Sequence, residues 1–189
     1  MDAIRLAGLV LAGGGASRLG GVDKPMLTVG GAPVLGRAVA ALAGTPSVLV
    51  GTPRPGFERS RWTCEDPPGG GPIAAVAAGL AELPRGCDPI AVLAGDLLGV
   101  SRETVLRLCD AIGQQDGALL VDATGRKQWL IGVWRAHALR DALPAHPAGA
   151  SLGSYLGALS GCEVAELPGE SRDVDTPEDL DSARRESTP

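Results

Sequence analysis

Apolar residues form short continuous runs along the chain, each bounded by Gly, Pro or Asp. The runs are Leu6 to Ala12, Val48 to Val50, Ile90 to Ala94 and Ala118 to Val121. Runs of this length without polar alternation are typical of strands that are buried on both faces of a parallel sheet. We therefore predict four buried strands.

Segments with helical spacing lie between these runs. Residues 34–42, 73–80 and 105–112 carry apolar side chains three and four positions apart, as amphipathic helices do. Strands that alternate with helices predict right-handed crossovers and a three-layer α/β/α, Rossmann-like fold with a mostly parallel sheet. A chain of 189 residues suits one such domain, so residues 1–189 are expected to form a single domain. Ligands of such sheets bind beyond the carboxyl ends of the strands.

Two later segments add to this pattern. The apolar stretch from Trp129 to Trp134 predicts a further strand, which we assign to an acceptor-side region. Near the end, Thr176 is expected to cap a helix that has Pro177 at its first position and acidic residues in its first turn.

Composition and charge narrow the classes of function. The formal net charge of −5 and the absence of long basic runs argue against a nucleic-acid partner. The apolar run at the N-terminus is too short to span a membrane, so no membrane association is expected. The four cysteines form no CxxC pair, which argues against a zinc site and favours reduced thiols in a cytoplasmic protein.

A glycine-rich loop that contains two cations follows the first strand. It covers residues 13–25 and carries Arg18 and Lys24. Glycines let backbone N–H groups approach phosphate oxygens, and the cations neutralise phosphate charge, so the loop predicts phosphate binding. It is not a dinucleotide fingerprint, because no acid lies between Asp23 and Glu58, and it lacks the Gly-Lys-Ser/Thr of a P-loop.

Four segments together resemble a known family. Residues 11–25 read Leu-Ala-Gly-Gly-x-x-x-Arg-x-Gly followed by Asp-Lys-Pro, and the segments 66–72, 95–96 and 173–180 follow in the family's order. This arrangement is similar to the MobA-like nucleotidyltransferases, the group that contains the molybdenum cofactor guanylyltransferases. The resemblance implies a nucleotide-diphospho-sugar transferase-like fold and a transfer of a nucleotidyl group that releases pyrophosphate.

The resemblance also implies roles for individual residues. Arg18, Lys24 and Asp96 would be catalytic, and Mg²⁺ would be held by Asp96 and Asp175. The residues implied in nucleotide binding are Leu11, Ala12, Gly13, Gly14, Lys24, Asp66 and Asp96.

These roles are chemically consistent with nucleotidyl transfer. Negative charge builds up on the α-phosphate and the departing pyrophosphate, so cations and Mg²⁺ supply most of the catalysis. Asp96 follows a buried strand, where a carboxylate suits Mg²⁺; its alternative role is to cap a turn near Ser101. Asp175 is either the second metal carboxylate or only part of the helix start at Thr176. The acceptor's own phosphate is already anionic, so neither His137 nor His146 needs to act as a base.

The nucleotide and the acceptor are less directly encoded. Gly13 stands where cytidylyl-transferring relatives typically have Ala, so GTP and a phosphorylated acceptor, molybdopterin, are the expected substrates. Cytidylyl transfer, transfer to a sugar phosphate or to phospholactate, and a non-catalytic nucleotide-binding protein are the alternatives. The chain departs from the family at 97–99, where the usual proline is missing, and at 51–53, where an Asn often used near the base is missing.

Overall fold

The computed structural model describes residues 5–13 and 22–187. Seven strands of this part form one sheet in the order β5-β4-β1-β6-β8-β7-β9, and β2 and β3 pair as a small hairpin. The strands are β1 (Ala7–Leu11), β2 (Thr28–Val29), β3 (Ala32–Pro33), β4 (Ser47–Val50), β5 (Arg61–Thr63), β6 (Ile90–Ala94), β7 (Gly117–Val121), β8 (Lys127–Trp134) and β9 (Gly161–Ala165). The helices are α1 (Leu35–Ala41), α2 (Pro72–Glu82), α3 (Arg102–Ala111), α4 (Ala136–Asp141), α5 (Leu152–Leu156) and α6 (Pro177–Glu186).

The central sheet is mostly parallel. Strand β8 pairs antiparallel with β6 on one side and with β7 on the other, whereas every other neighbouring pair in the sheet is parallel. Six strands of the sheet therefore point in one direction and β8 points in the other. The carboxyl ends of β1, β4 and β6 lie side by side at one edge of the sheet, which is where the fold prediction places ligands.

Helices cover both faces of the sheet, as continuous apolar strands require. In β1, Leu9 and Leu11 belong to the cluster on the face of α2, α4 and α5, while Val10 belongs to the cluster on the face of α1 and α3. A third, smaller cluster packs α6 against β2 around Val29 and Val174. The three-layer α/β/α prediction is confirmed.

Local capping residues set the helix boundaries. Helix α3 begins after Ser101, whose side chain accepts a hydrogen bond from the Thr104 N–H in a capping box. Thr176 caps α6 in the same way with Asp179, which confirms the predicted start of that helix. Helix α2 begins at Pro72, whose missing N–H costs nothing in the first turn.

The predicted strands are all present, with boundaries that differ by at most two residues. The predicted strand at 129–134 is β8, which lies inside the central sheet between β6 and β7. The short edge strands β5 and β9 and the helices α4 and α5 were not predicted. Within the described ranges, no helix is long and apolar enough to cross a membrane.

Candidate functional site

Three parallel strands end in close contact at one edge of the sheet. The Ala12 N–H donates to the Val50 carbonyl oxygen at 2.9 Å, and the Gly95 N–H donates to the Leu11 carbonyl oxygen at 2.9 Å. A Cβ added to Gly51, which has a φ of +141°, would lie 3.0 Å from the Gly13 nitrogen, and one on Gly95 would lie 3.0 Å from the Ala12 Cα. Glycine at these two positions therefore lets the three backbones converge.

A cleft of about 570 Å³ opens beyond these strand ends. It is large enough for a nucleotide-sized ligand, since small-molecule sites of proteins usually have volumes of about 300–1,000 Å³. Its lining residues are Leu11, Gly13, Lys24, Pro25, Gly51, Thr52, Arg54, Cys64, Glu65, Pro68, Gly69, Gly71, Pro72, Ala75, Ala94, Asp96 and Leu130.

Lys24 reaches the cleft from a 3₁₀ turn that covers Lys24–Met26. Its Nζ donates a hydrogen bond to Asp175 Oδ1 at 2.6 Å, across 151 residues of sequence. The Lys24 side chain is 15% exposed and the Asp175 side chain 46% exposed. The fold thus brings the predicted cation, which lines the cleft, together with one predicted carboxylate.

Asp96 follows β6 after one glycine and lines the same cleft. Burial raises its pKa; a backbone hydrogen bond and the charge of Lys24 oppose the rise, and Asp175 adds to it. Since the capping box of α3 consists of Ser101 and Thr104, Asp96 is not needed as a helix cap.

A third carboxylate, Asp173, joins this group and was not among the predicted site residues. The backbone of Asp173 bridges to Leu97, next to Asp96, and the Leu98 N–H donates to the Arg172 carbonyl oxygen at 2.7 Å. Burial raises the pKa of Asp173, and the charges of Asp175 and Asp96 raise it further. Its position two residues before Asp175, in a segment already noted in the sequence, was the available signal.

Two alternative roles were predicted for Asp175, a metal carboxylate or only a part of the start of α6. The carboxylate in the cap of α6 is that of Asp179, whose Oδ2 accepts hydrogen bonds from the N–H groups of Asp175 and Thr176. The Asp175 side chain instead accepts from Lys24. The start of α6 is therefore capped by the Asp179 carboxylate, and the Asp175 carboxylate pairs with Lys24, which lines the cleft.

The donor chemistry of this edge fits Mg²⁺. Among the described residues, no three acidic, His or Cys side chains form a ready-made metal cage. Asp96, Asp173 and Asp175 nevertheless influence one another electrostatically, and Lys24 is the cation that acts on both Asp96 and Asp173. Mg²⁺ commonly binds through one or two carboxylates together with substrate phosphates and waters, so an incomplete set of oxygen ligands is what it requires.

Arg54 is a second cation at the cleft that sequence reasoning missed. It lies in the loop after β4, its side chain is 11% exposed, and it lines the cleft. The loop after a parallel strand is where the fold places binding residues, and that rule could have pointed to Arg54.

Of the other predicted residues, some line the cleft and some do not. Leu11 and Gly13 line the cleft, while the N–H of the buried Ala12 takes part in sheet pairing. Asp66 is exposed and is not among the lining residues, although its neighbour Glu65 is. Gly14 and Arg18 lie outside the described residues. The nucleotide-binding, catalytic and metal roles remain predictions.

Sequence comparison finds relatives over most of the chain. Residues 8–162 match the family described as MobA-like NTP transferase domain. A molybdenum cofactor guanylyltransferase from Cereibacter sphaeroides is 31% identical over 198 residues, covering 97% of each chain. One from Bradyrhizobium sp. is 35% identical over 145 residues, covering 71% of this chain and 68% of the relative. The family match includes Lys24 and Asp96 and ends before Asp173.

Structural comparison agrees on the fold. The molybdopterin-guanine dinucleotide biosynthesis protein A from Archaeoglobus fulgidus superposes with a TM-score of 0.70 at 18% identity, covering 95% of this chain and 97% of that protein. A putative glucose-1-phosphate thymidylyltransferase from Bacillus anthracis superposes with a TM-score of 0.72 at 17% identity, covering 96% and 95%. The fold is therefore the nucleotide-diphospho-sugar transferase fold, as the resemblance implied.

Proposed function

Because the chain belongs to the MobA-like NTP transferase family, we propose that it is a Mg²⁺-dependent guanylyltransferase. It transfers GMP from GTP to a phosphorylated acceptor, molybdopterin, and releases pyrophosphate. The observation that carries the proposal is that Lys24 and Asp96 line one cleft beyond the strand ends, where Lys24 also pairs with Asp175. The relatives named as molybdenum cofactor guanylyltransferases support the choice of nucleotide and acceptor.

In the proposed reaction, a phosphate oxygen of the acceptor attacks the α-phosphorus of GTP. The new P–O bond forms as the bond between the α-phosphorus and the bridging oxygen breaks, and the electron pair leaves with pyrophosphate. The attacking oxygen is already anionic near neutral pH, so no side chain needs to remove a proton. Catalysis then consists of positioning and of stabilising negative charge.

The residues of this chain divide that work. When GTP enters, Lys24 leaves Asp175 and binds phosphate oxygens of the triphosphate instead. The backbone of Leu11 to Gly13 lies against the nucleoside, and the absence of a Cβ at Gly13 leaves room for a purine. Asp96 would hold Mg²⁺, with Asp175 or Asp173 as a second carboxylate. When bound, the ion neutralises charge on the phosphates.

The test is pyrophosphate release by the purified protein. Each of the four common triphosphates is combined in Mg²⁺ with molybdopterin and with a panel of sugar phosphates and phospholactate. Turnover with GTP and molybdopterin alone is the expected result. Turnover with CTP or with a sugar phosphate would show that the proposed nucleotide or acceptor is wrong. GTP binding without turnover in any combination would show that the protein binds nucleotide without catalysis.

A further inference from the structure

Besides lining the cleft, Arg54 forms an ion pair with Asp23, the residue that precedes Lys24. We propose that Asp23 and Arg54 form a positioning clamp that directs Lys24 toward the nucleotide. This inference rests on the proposed function, in which Lys24 binds the triphosphate.

The contact has the geometry of a paired fork. Arg54 Nε donates to Asp23 Oδ2 at 2.7 Å, and Arg54 Nη2 donates to Asp23 Oδ1 at 2.8 Å. Two parallel charge-assisted bonds fix both distance and orientation, which a single contact between charges does not. The clamp joins the loop after β4 to the end of the glycine-rich loop, 31 positions apart in sequence.

Arg54 is itself held firmly by its own part of the fold. Its Nη1 donates to the Thr52 carbonyl oxygen at 3.0 Å, and its guanidinium lies 5.9 Å from the ring centroid of Trp62 in β5. The Trp62 indole is anchored by a 3.0 Å hydrogen bond to the Phe57 carbonyl oxygen. Arg54 is therefore a preorganised receptor for the Asp23 carboxylate.

Asp23 occupies a position where an aspartate usually serves the local backbone. It precedes the 3₁₀ turn that begins at Lys24, yet its side chain makes no capping hydrogen bond. The carboxylate is instead bound by Arg54. Since Asp23 and Lys24 are adjacent, an Asp23 carboxylate without Arg54 would compete for the Lys24 ammonium group.

As a result, the neighbouring residues Asp23 and Lys24 each have a different ionic partner. Arg54 engages both oxygens of Asp23, while Lys24 Nζ pairs with Asp175 next to Asp96 and Asp173. The clamp thereby keeps the Lys24 side chain on the acidic side of the cleft, where the triphosphate and its metal ion are proposed to bind. Arg54 is a positioning residue in this arrangement.

The competing explanation is that Arg54 binds phosphate directly, and a double-mutant cycle separates the two. Asp23→Asn, Arg54→Met and the double variant are compared in GTP turnover and in GTP binding by calorimetry. The clamp predicts that each single variant lowers kcat by about tenfold or more, the effect typical of losing an outer-shell partner. The double variant should be no worse than the worse single variant, because both remove one interaction.

Three further measurements sharpen the cycle. Arg54→Lys should restore part of kcat, since an ammonium group can still bind one Asp23 oxygen. Arg61→Met is the matched control, because Arg61 pairs with Glu82 at an exposed site outside the cleft. The rate at which an amine-selective reagent modifies Lys24, followed by mass spectrometry, should rise in both clamp variants and stay constant in Arg61→Met.

Each opposite outcome overturns the clamp. Wild-type turnover or tighter GTP binding in Asp23→Asn, with weaker binding in Arg54→Met, would make Arg54 a direct phosphate ligand. Additive losses, or an unchanged modification rate of Lys24, would also contradict the proposal. If Arg54→Met fails to fold, Asp23→Asn still tests the clamp, because the Asp23 side chain is half-exposed. Because Lys24 modification needs no turnover, it tests the clamp even if guanylyl transfer is not observed.

Discussion

Glu170 and Asp175, two carboxylates of the C-terminal segment, each form an ion pair with a residue far away in the sequence, and they differ in burial and in the charges around them. Glu170 is buried and accepts hydrogen bonds from the Thr104 hydroxyl, the Leu167 N–H and the Arg107 guanidinium. Asp175, five positions later, is half-exposed and pairs with Lys24 beside two further carboxylates.

The pKa values follow this difference. Burial alone would raise the pKa of Glu170, but the hydrogen bonds from Arg107, Thr104 and Leu167 outweigh it and lower the pKa. Burial and like charge raise the pKa of Asp173 in the other group. A carboxylate that accepts several hydrogen bonds, as Glu170 does, stabilises the fold, whereas the crowded carboxylates Asp96, Asp173 and Asp175 favour the binding of added positive charge. Proximity in sequence therefore says little about role.

The largest expected effect comes from removing one charge of the crowded group. Asp96→Asn should lower guanylyl transfer by roughly a thousandfold, the upper range for losing a main electrostatic stabiliser, while the fold is retained because the shape is nearly unchanged. Turnover at saturating GTP and Mg²⁺ and circular dichroism measure the two properties. Glu82→Gln, on the outer surface, is the control. Turnover near that of the wild type would remove Asp96 from the metal site.

Loss of the cation should have the next largest effect. Lys24→Met should lower kcat by about a hundredfold because phosphate charge in the transition state loses a positioned partner. We expect the same from Arg18→Ala. Lys127→Met is the matched control, since Lys127 pairs with Glu163 at an exposed site. Steady-state kinetics provide the comparison, and wild-type values in both loop variants would show that the loop is structural.

Loss of the Glu170 charge should lower the stability of the fold and leave turnover unchanged. Glu170→Gln should lower the free energy of unfolding by about 2 kcal/mol, the range for hydrogen bonds to a charged group, with unchanged turnover per folded molecule. Denaturant unfolding measures the loss, and Glu163→Gln is the exposed control. A clear fall in kcat at full folding would show that the two pairs are not functionally distinct.

The same variant gives a pH test. The pKa of Glu170 is lowered in the folded state, so its stabilisation is complete above the unfolded value of about 4.3 and is lost as the pH falls through the folded value. The difference in unfolding free energy between wild type and Glu170→Gln should therefore narrow below about pH 4. A difference that grows on acidification would contradict the sign.

The smallest effect concerns nucleotide choice. A Cβ at Gly13 would lie 3.8 Å from the Val50 carbonyl oxygen, an ordinary contact, so the protein accommodates alanine there. Gly13→Ala should weaken GTP relative to CTP by about tenfold, because a single methyl group discriminates modestly. Competition calorimetry in Mg²⁺ measures the ratio. Tighter CTP binding by the wild type would overturn the guanylyl assignment.

The sequence was informative wherever one local pattern determined the structure. Continuous apolar runs predicted the central strands, and Thr176 with Pro177 predicted the start of α6. The edge strand β5 was missed because it is three residues long and only partly buried, and β9 because it alternates between partly buried and exposed residues. Both depend on their neighbours in the sheet and not on their own composition.

The site shows the same limit. Asp96 could be predicted because it lies two positions after an apolar run, and Lys24 because it lies in a distinctive loop. Asp173 and Arg54 had only weak local signals and were missed, because their roles arise from contacts across 76 and 31 positions: the bridge to Leu97 and the pair with Asp23. Chain topology creates those contacts, and no local pattern encodes them.

The bridge between Leu97 and Asp173 also has a consequence for biosynthesis. Residues 173–175 leave the ribosome after every strand of the sheet, the last of which ends at Ala165. A nascent chain can thus complete its sheet before Asp173 and Asp175 come close to Asp96. If Lys24 and the acidic residues bind the nucleotide as proposed, complete binding requires that α6 docks on β2, and ligand-induced thermal protection would report this last step of assembly.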